Sequence, residues 1–505
     1  MDTAAERARF RELQAGFATT FPRLLADPKA PRTVIVLPSL SLDAEVMSRI
    51  SGVHHYEERM LCLLLLLRLP RTHVVFVSSQ PVAESTIGYH LSLLSGIPHA
   101  HARARLHLVC CHDASRRPLS AKLLERPRLL ERIGELIVAT GAAHLSCFTV
   151  SPLERRVAVR LGVPIYGCDP DLAALGSKSG SRRVFREAGV AMPDGFEGLT
   201  NASTVAEALA ELKGRDPGLE RAVVKLEEGF SGEGNAVFSF AGAPAGPALA
   251  AWVRQRLPQL AFAAPGLDWE AYRVKLGQMG AIVEAFVEGH KRSPSAQFRV
   301  EPARAVETIS THDQVLGGPS GQIFLGCEFP ADAAYRLEIQ AAGLKAAHRL
   351  RELGVLGRFG IDFVSVRRGT HWEHLAIEVN LRKGGTTHPN LLLQFMTDGR
   401  YRPETGTFVT ATGRTCCYHA SDNVEAEAYR GLTPDDLIDL AVLDGLHFDS
   451  ARQEGVVFHL IGALSEFGKL GMVCVGPTIE RARELFRATV AVLDRETGNR
   501  REGNA

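Results

Sequence analysis

Residues 376–385, AIEVNLRKGG, begin as a buried strand and then break the pattern. Glu378 and Asn380 interrupt the apolar run, and Arg382, Lys383 and two glycines follow. Residues two apart on a strand share a face, so Glu378 and Asn380 project their oxygens to one side. The preceding strand, FGIDFVSV, carries Asp362. A turn centred on Thr370 makes the two segments a hairpin with Asp362 opposite Glu378. Two carboxylates and an amide then crowd together. Like charges this close repel unless a cation lies between them. Hard oxygen donors of this kind suit Mg²⁺, which is usually held by one or two carboxylates plus substrate phosphates. A surface hairpin with its acidic residues in solvent fits equally well, because Ile361, Phe363, Ile377 and Val379 require only one buried face.

A second group lies upstream. VVKLEEGFSGEGN (223–235) sets Lys225 at the end of a strand and follows it with Gly229, Gly232 and Gly234. Glycine lets backbone N–H groups approach phosphate oxygens, and lysine adds a point charge. No GK[ST] follows and no helix opens there, so this is not a Walker loop; taken alone, a plain hairpin loop is the simpler reading. Lys178, in LGSKSGSRRVFREAGVAMP, reads by itself as a solvent lysine starting a helix. IVEAFVEGHKR (282–292) is a strand running into a turn, able to offer backbone groups to an adenine edge or to bridge two subdomains.

The surrounding elements are regular. Residues 30–170 alternate strand and helix: TVIVLP, a helix through ERMLCLLLLLRL, THVVFVSS, STIGYHLSLL, ARLHLVCC, PRLLERIGELIVATG and AHLSCFTVS. This spacing predicts a parallel α/β sheet. No GxGxxG follows its first strand, which excludes a dinucleotide fingerprint. From 171 the texture becomes α+β, with period-two runs around a long Ala-rich helix at 331–353. A last module from 401 combines TPDDLIDLAVLDG, GVVFHLIG, LGMVCVG and a terminal helix. At 505 residues the chain is too long for one core. A formal net charge of +1 gives no field favouring nucleic acid or an anionic membrane. The run LCLLLLL stops at Arg68 and is too short to span a bilayer. Nine cysteines without CxxC, behind an N-terminus lacking signal-peptide character, point to reduced thiols in the cytoplasm.

Lys178, Lys225 with its glycine loop, EAFVEG, Asp362 and EVN, in that order, resemble the ATP-grasp superfamily. More narrowly, STHDQVLGGPSGQIFLGCEFP, FGIDFV, EVNLRKGGTTHPN and EGVVFHLIGALSEFGKLGMVCVG resemble the pheganomycin-type peptide ligases, over residues 31–495. The resemblance implies a Rossmann-like pre-ATP-grasp domain (1–170), an ATP-grasp domain (171–400) with a mobile lid subdomain (190–283), and a small α+β C-terminal domain (401–505). It implies ATP and Mg²⁺ as cofactors. Lys178 and Lys225 would contact phosphates under a lid loop of Ser231, Gly232 and Gly234. Glu284, Phe286 and Val287 would frame the adenine, and Glu288 would meet the ribose. Asp362, Glu378 and Asn380 would bind magnesium. Arg382 would face the reacting carboxylate. The chain departs from the family in having Gly360-Ile361 before the magnesium aspartate, so a phosphate-contacting side chain must come from Arg358 or Lys383.

The implied reaction joins a carboxylic acid to an amino acid or peptide amine through an acylphosphate, releasing ADP and phosphate. Lys383, Arg292, His312, Asp313, Gln314 and His388 are further substrate-side candidates; for His312, Asp313, Gln314 and His388 a polar cluster at a strand end is the competing reading. Members of the family often dimerise, so a homodimer is admitted. Two alternatives remain at this level: an ATP-grasp phosphotransferase or carboxylase, and a nucleotide-binding module without turnover.

Overall fold

The computed structural model describes residues 3–41, 47, 50, 52–138, 140–228, 234–264, 266–317 and 323–498. Four strands, β1 (Arg32–Leu37), β2 (Thr72–Ser78), β3 (Leu106–Cys110) and β4 (Ala143–Cys147), form a parallel sheet in the order β3-β2-β1-β4. Both its faces are covered, which is why β1 and β2 read as continuous apolar runs. Ile35 and Leu37 pack with Val75 and Val77 beneath Phe10 and the helices Leu119–Leu124, Pro127–Val138 and Pro152–Leu161. Val34 and Val36 face the segment Val53–Arg68, wound as a 3₁₀ helix and buried through Leu61, Leu64, Leu65 and Leu67. The helix Pro152–Leu161 starts with a complete capping box between Ser151 and Glu154.

A second sheet is antiparallel: β5 (Gly195–Leu199), β6 (Arg221–Leu226), β7 (Asn235–Ser239), β8 (Ala261–Phe262) and β9 (Ala281–Ala285), in the order β5-β9-β6-β7-β8. The helices Ala202–Arg215, Leu249–Arg256 and Trp269–Met279 cover it, and it has its own core around Leu209, Val224, Phe238 and Tyr272.

The third sheet is the largest. It contains β10 (Lys291–Arg292), β11 (Pro294–Val300), β12 (Val306–Gly317), β13 (Ile323–Phe329), β14 (Gly357–Arg368), β15 (His371–Asn380), β16 (Arg400–Arg402), β17 (Thr407–Val409), β18 (Thr415–Glu425), β19 (Gly455–His459) and β20 (Lys469–Gly476). All its pairings are antiparallel, and β13 pairs β18, so the sheet runs without a break through position 401. The 3₁₀ helix that covers the first sheet also packs against Leu391, Leu392 and Leu393 and the strands near Tyr418 and Val473. Side chains that cover the first sheet are thereby fixed against the large sheet. All nine cysteines are unpaired. Among the described residues no helix is long and apolar enough to cross a membrane.

Candidate active site

The hairpin β14–β15 sets the centre of the site. Arg368 pairs His371 across a two-residue turn, Gly369-Thr370, with Gly369 at φ +62°. That turn lies half a residue before the centre taken from the sequence, and continued regularly it would set Glu378 opposite Ile361. A β-bulge intervenes: Phe363 pairs Ala376 but Asp362 pairs Glu378, leaving Ile377 unpaired. The bulge turns both carboxylates to one face. Asn380 joins them there, opposite Gly360. A Cβ at Gly360 would stand 2.7 Å from Gln297 Oε1, so the missing side chain makes room for that amide.

Asp362 accepts from Asn380 Nδ2 at 2.9 Å and from Gln314 Nε2 at 3.0 Å. These bonds favour the charged form, but burial and then the adjacent Glu378 outweigh them and push its carboxyl up to about 7. Glu378 receives Lys178 Nζ at 3.0 Å. Lys178 opens the helix Lys178–Glu187, capped by Ser177 and tied to β15 by Val379 N–H donating to Ser181 Oγ at 2.9 Å. The helix N-terminus is further held by Glu227, which accepts from the Ser179 amide at 3.0 Å and from its hydroxyl.

Lys225, on β6, donates to Glu284 at 2.6 Å. The other Glu284 oxygen takes Arg182 at 2.7 Å, and both Arg182 and Glu284 are buried. The Glu284 side chain is therefore a counter-ion between two cations, leaving only backbone at this position to face a ligand. Past β9, Phe286 lies beneath two cations, Arg221 Cζ at 4.0 Å and Lys291 Nζ at 4.2 Å from its ring centre. Glu288 makes a two-pronged pair with Arg221 at 2.8 and 2.6 Å, and the Val287 carbonyl accepts from Lys291 at 3.4 Å. The Gly234 carbonyl accepts from Tyr272 Oη at 3.2 Å. Ser231 and Gly232 lie outside the described residues.

Beyond Asn380 the chain turns toward the first sheet. Arg382 is lowered by burial and held up by Glu378 and Asp362. Lys383 donates its amide to the Phe148 carbonyl at 3.2 Å and its ammonium to the Cys147 carbonyl. Burial lowers it to about 8. Arg358 lies on the same strand face as Gly360 and Asp362 and donates to Asn390 at 3.4 Å.

The remaining candidates are not brought to the carboxylates. His312 shares their row of the sheet, but Ser295 stands between it and Asp362. Its Nε2 bonds Tyr418 Oη at 2.6 Å, and burial drives its pKa to about 3, so the ring is neutral. Asp313, one residue on, turns to the other face and anchors Tyr335 Oη at 2.6 Å and the Asp332 amide at 2.9 Å. Arg292 is exposed on a two-residue edge strand. His388 is buried against Asp422 and His459. Gln314, a substrate-side candidate in the sequence, is the exception and orients Asp362. Arg182, which orients Glu284, was not among the sequence candidates, although its i, i+4 spacing from Lys178 gave a signal.

Residues 170–244 match the family described as IQCH-like, ATP-grasp, and residues 436–489 match the PGM1 C-terminal domain. Over 482 residues the chain is 31% identical to L-propargylglycine–L-glutamate ligase of Streptantibioticus cattleyicolor, covering 93% of this chain and 95% of that one. It is 23% identical to IQ motif-containing protein H of Danio rerio, covering 92% of this chain and 49% of that longer protein. In fold it resembles the biotin carboxylase domain of Hydrogenobacter thermophilus 2-oxoglutarate carboxylase, with a TM-score of 0.54 at 13% identity over 90% of this chain and 89% of that one. The chain belongs to the ATP-grasp carboxylate–amine ligases.

Proposed function

We propose that this ligase activates the carboxylate of one amino acid with ATP and transfers the acyl group to the amine of a second amino acid or a peptide. The name of the Streptantibioticus cattleyicolor relative gives two amino acids, which supports this substrate class. The observation that carries the proposal is the convergence of Asp362, Glu378 and Asn380 on one sheet face, with Lys178 already on Glu378.

These residues fit a divalent cation. Two carboxylates and an amide share a site in which burial and the neighbouring Glu378 let Asp362 keep its proton up to about neutrality. Asp362, Glu378 and Asn380 would hold Mg²⁺, which when bound neutralises phosphate charge and polarises the γ-phosphoryl group. Lys178 and Lys225 supply point charges to the phosphates from the two sides of the cleft. The backbone of 284–287 faces the adenine, Phe286 packs beside it, and Glu288 meets the ribose after release from Arg221. Arg382 aligns the acid so that its oxygen displaces ADP from the γ-phosphorus, forming an acylphosphate. The amine then attacks the acyl carbon, phosphate leaves, and the amine loses a proton. Closure of the lid (190–283) over the rest of 171–400 excludes water, because an acylphosphate hydrolyses when wet. Positioning and charge supply the rate, and no side-chain nucleophile is used. We include a homodimer and a reducing compartment in the proposal; the unpaired thiols fit the latter.

The test is ADP release across pairs of amino acids, with mass spectrometry of the product. A product mass equal to both substrates minus water supports ligation. ATP consumption that requires bicarbonate, or that ends in a stable phosphorylated acid, refutes it.

A further inference from the structure

Arg59 belongs to the 3₁₀ helix of the first domain and is buried, with 8% exposure. Its guanidinium lies between two rings, with Cζ 4.6 Å from the centre of Tyr56 and 4.4 Å from that of Phe148. One edge is fixed. Nη1 donates to Asp422 Oδ2 at 3.2 Å, and Nε points to the Tyr56 carbonyl at 3.4 Å. Asp422 in turn is saturated on its other oxygen by His388 Nε2 at 3.0 Å and His459 Nε2 at 2.8 Å. Three segments far apart in sequence thus converge to hold one arginine in one orientation.

The third nitrogen, Nη2, is open. No described residue accepts from Nη2, and Nη2 is not among the buried polar atoms that lack a partner, so it reaches solvent. Phe148, which stacks on Arg59, also accepts the amide of Lys383, the neighbour of Arg382. Arg59 is one of the charges acting on Arg382. Like charges placed this way repel, and an anion reaching both guanidiniums relieves the repulsion. The triphosphate is served by Lys178 and Lys225. An aromatic-clamped, pre-oriented guanidinium with its Nη2 donors free matches a planar carboxylate.

We propose that Arg59 binds a carboxylate of a substrate that does not react, while Arg382 holds the one that does. This rests on the ligase mechanism above and adds a specificity residue from the first domain, with Asp422 as its positioning residue. The carboxylate has two sources, a second carboxylate on the acid or the carboxylate of the amine-bearing amino acid.

Hydroxylamine separates them, because it captures the acylphosphate as a hydroxamate without any amine substrate. L-Glutamate and 4-aminobutyrate are the matched acids, differing by one carboxylate; the acceptor amino acid and its amide are the matched amines. The variants are Arg59→Lys, which keeps the charge without the planar fork, and Arg59→Met with Asp422→Asn, which removes both buried charges together. If the acid is the source, the double variant raises KM for L-glutamate about 10–100-fold in the hydroxamate assay, as expected for one charge-assisted bond. KM for 4-aminobutyrate stays unchanged. If the amine is the source, hydroxamate kinetics are unchanged and KM rises by the same factor for the acceptor amino acid but not its amide. Equal losses with and without the extra carboxylate, or no change in any KM, overturn the proposal. Absence of hydroxamate and of ADP from every acid would instead sink the ligase mechanism itself.

Discussion

Metal binding at the hairpin should depend on pH in a way that the two carboxylates dictate. Without a cation, Asp362 holds its proton up to about pH 7, because burial and Glu378 both disfavour its charge. A divalent ion binds only the ionised form, so proton and metal compete. With a break at pH 7, apparent affinity falls about tenfold between pH 8 and pH 6, and about tenfold more to pH 5. Above pH 8 it is level. Mn²⁺ can replace Mg²⁺ in this measurement, with free ion followed by electron paramagnetic resonance in the presence of ADP. Asp362→Asn serves as the blank for titration of the nucleotide. Glu378→Gln removes the like charge, so the break moves to lower pH while the plateau affinity drops. Asn380→Ala removes a donor to the ionised carboxylate at 2.9 Å, so the break moves to higher pH. An affinity that is flat from pH 5.5 to 8, or a break that Glu378→Gln leaves in place, refutes the reasoning.

Lys225→Met should lower kcat about 10²–10³-fold with the fold intact, since Glu284 keeps Arg182 at 2.7 Å; unchanged melting beside lost turnover checks it. Gly360→Ala should destabilise by about 1–3 kcal/mol in urea titrations and weaken metal binding, because its Cβ meets the Gln297 amide at 2.7 Å. Glu57 is buried against Ser79, and burial lifts it from 4.5 to about 7. The folded state therefore holds the proton more tightly than the unfolded one, and the stability contributed by this residue falls as pH rises from 4.5 to 7. The total is about 3 kcal/mol; Glu57→Gln should flatten the urea midpoint over that window relative to the parent.

The elements that alternate in sequence were legible because both faces of the first sheet are covered, which writes apolar runs into β1 and β2. The pair Asp362–Glu378 was legible for a less secure reason. A turn taken as centred on Thr370 and an unseen bulge at Ile377 differ from a regular hairpin by compensating amounts, and neither is marked by a glycine or proline at the bulge. The parity of a strand separates His312 from Asp313, but no pattern said which of the two shared a face with Asp362, since that is set by β11 pairing both β12 and β14 through Ser295. What stayed hidden is long-range. Arg182 on Glu284, and Arg59, His388 and His459 on Asp422, are contacts between segments 34 to 363 residues apart. A single sequence carries no mark of such partners. The continuity of the large sheet past residue 401 was likewise hidden, because a pairing such as Gly326 with Ser421 leaves no local signature.

The most direct test of the account is diffraction at the manganese edge from crystals grown with ADP and Mn²⁺. The expected result is anomalous density at about 2 Å from the side-chain oxygens of Asp362, Glu378 and Asn380, bridging to the nucleotide phosphates, with Lys178 moved from Glu378 toward them. Nucleotide and manganese bound elsewhere, with these three side chains turned to solvent, would contradict it.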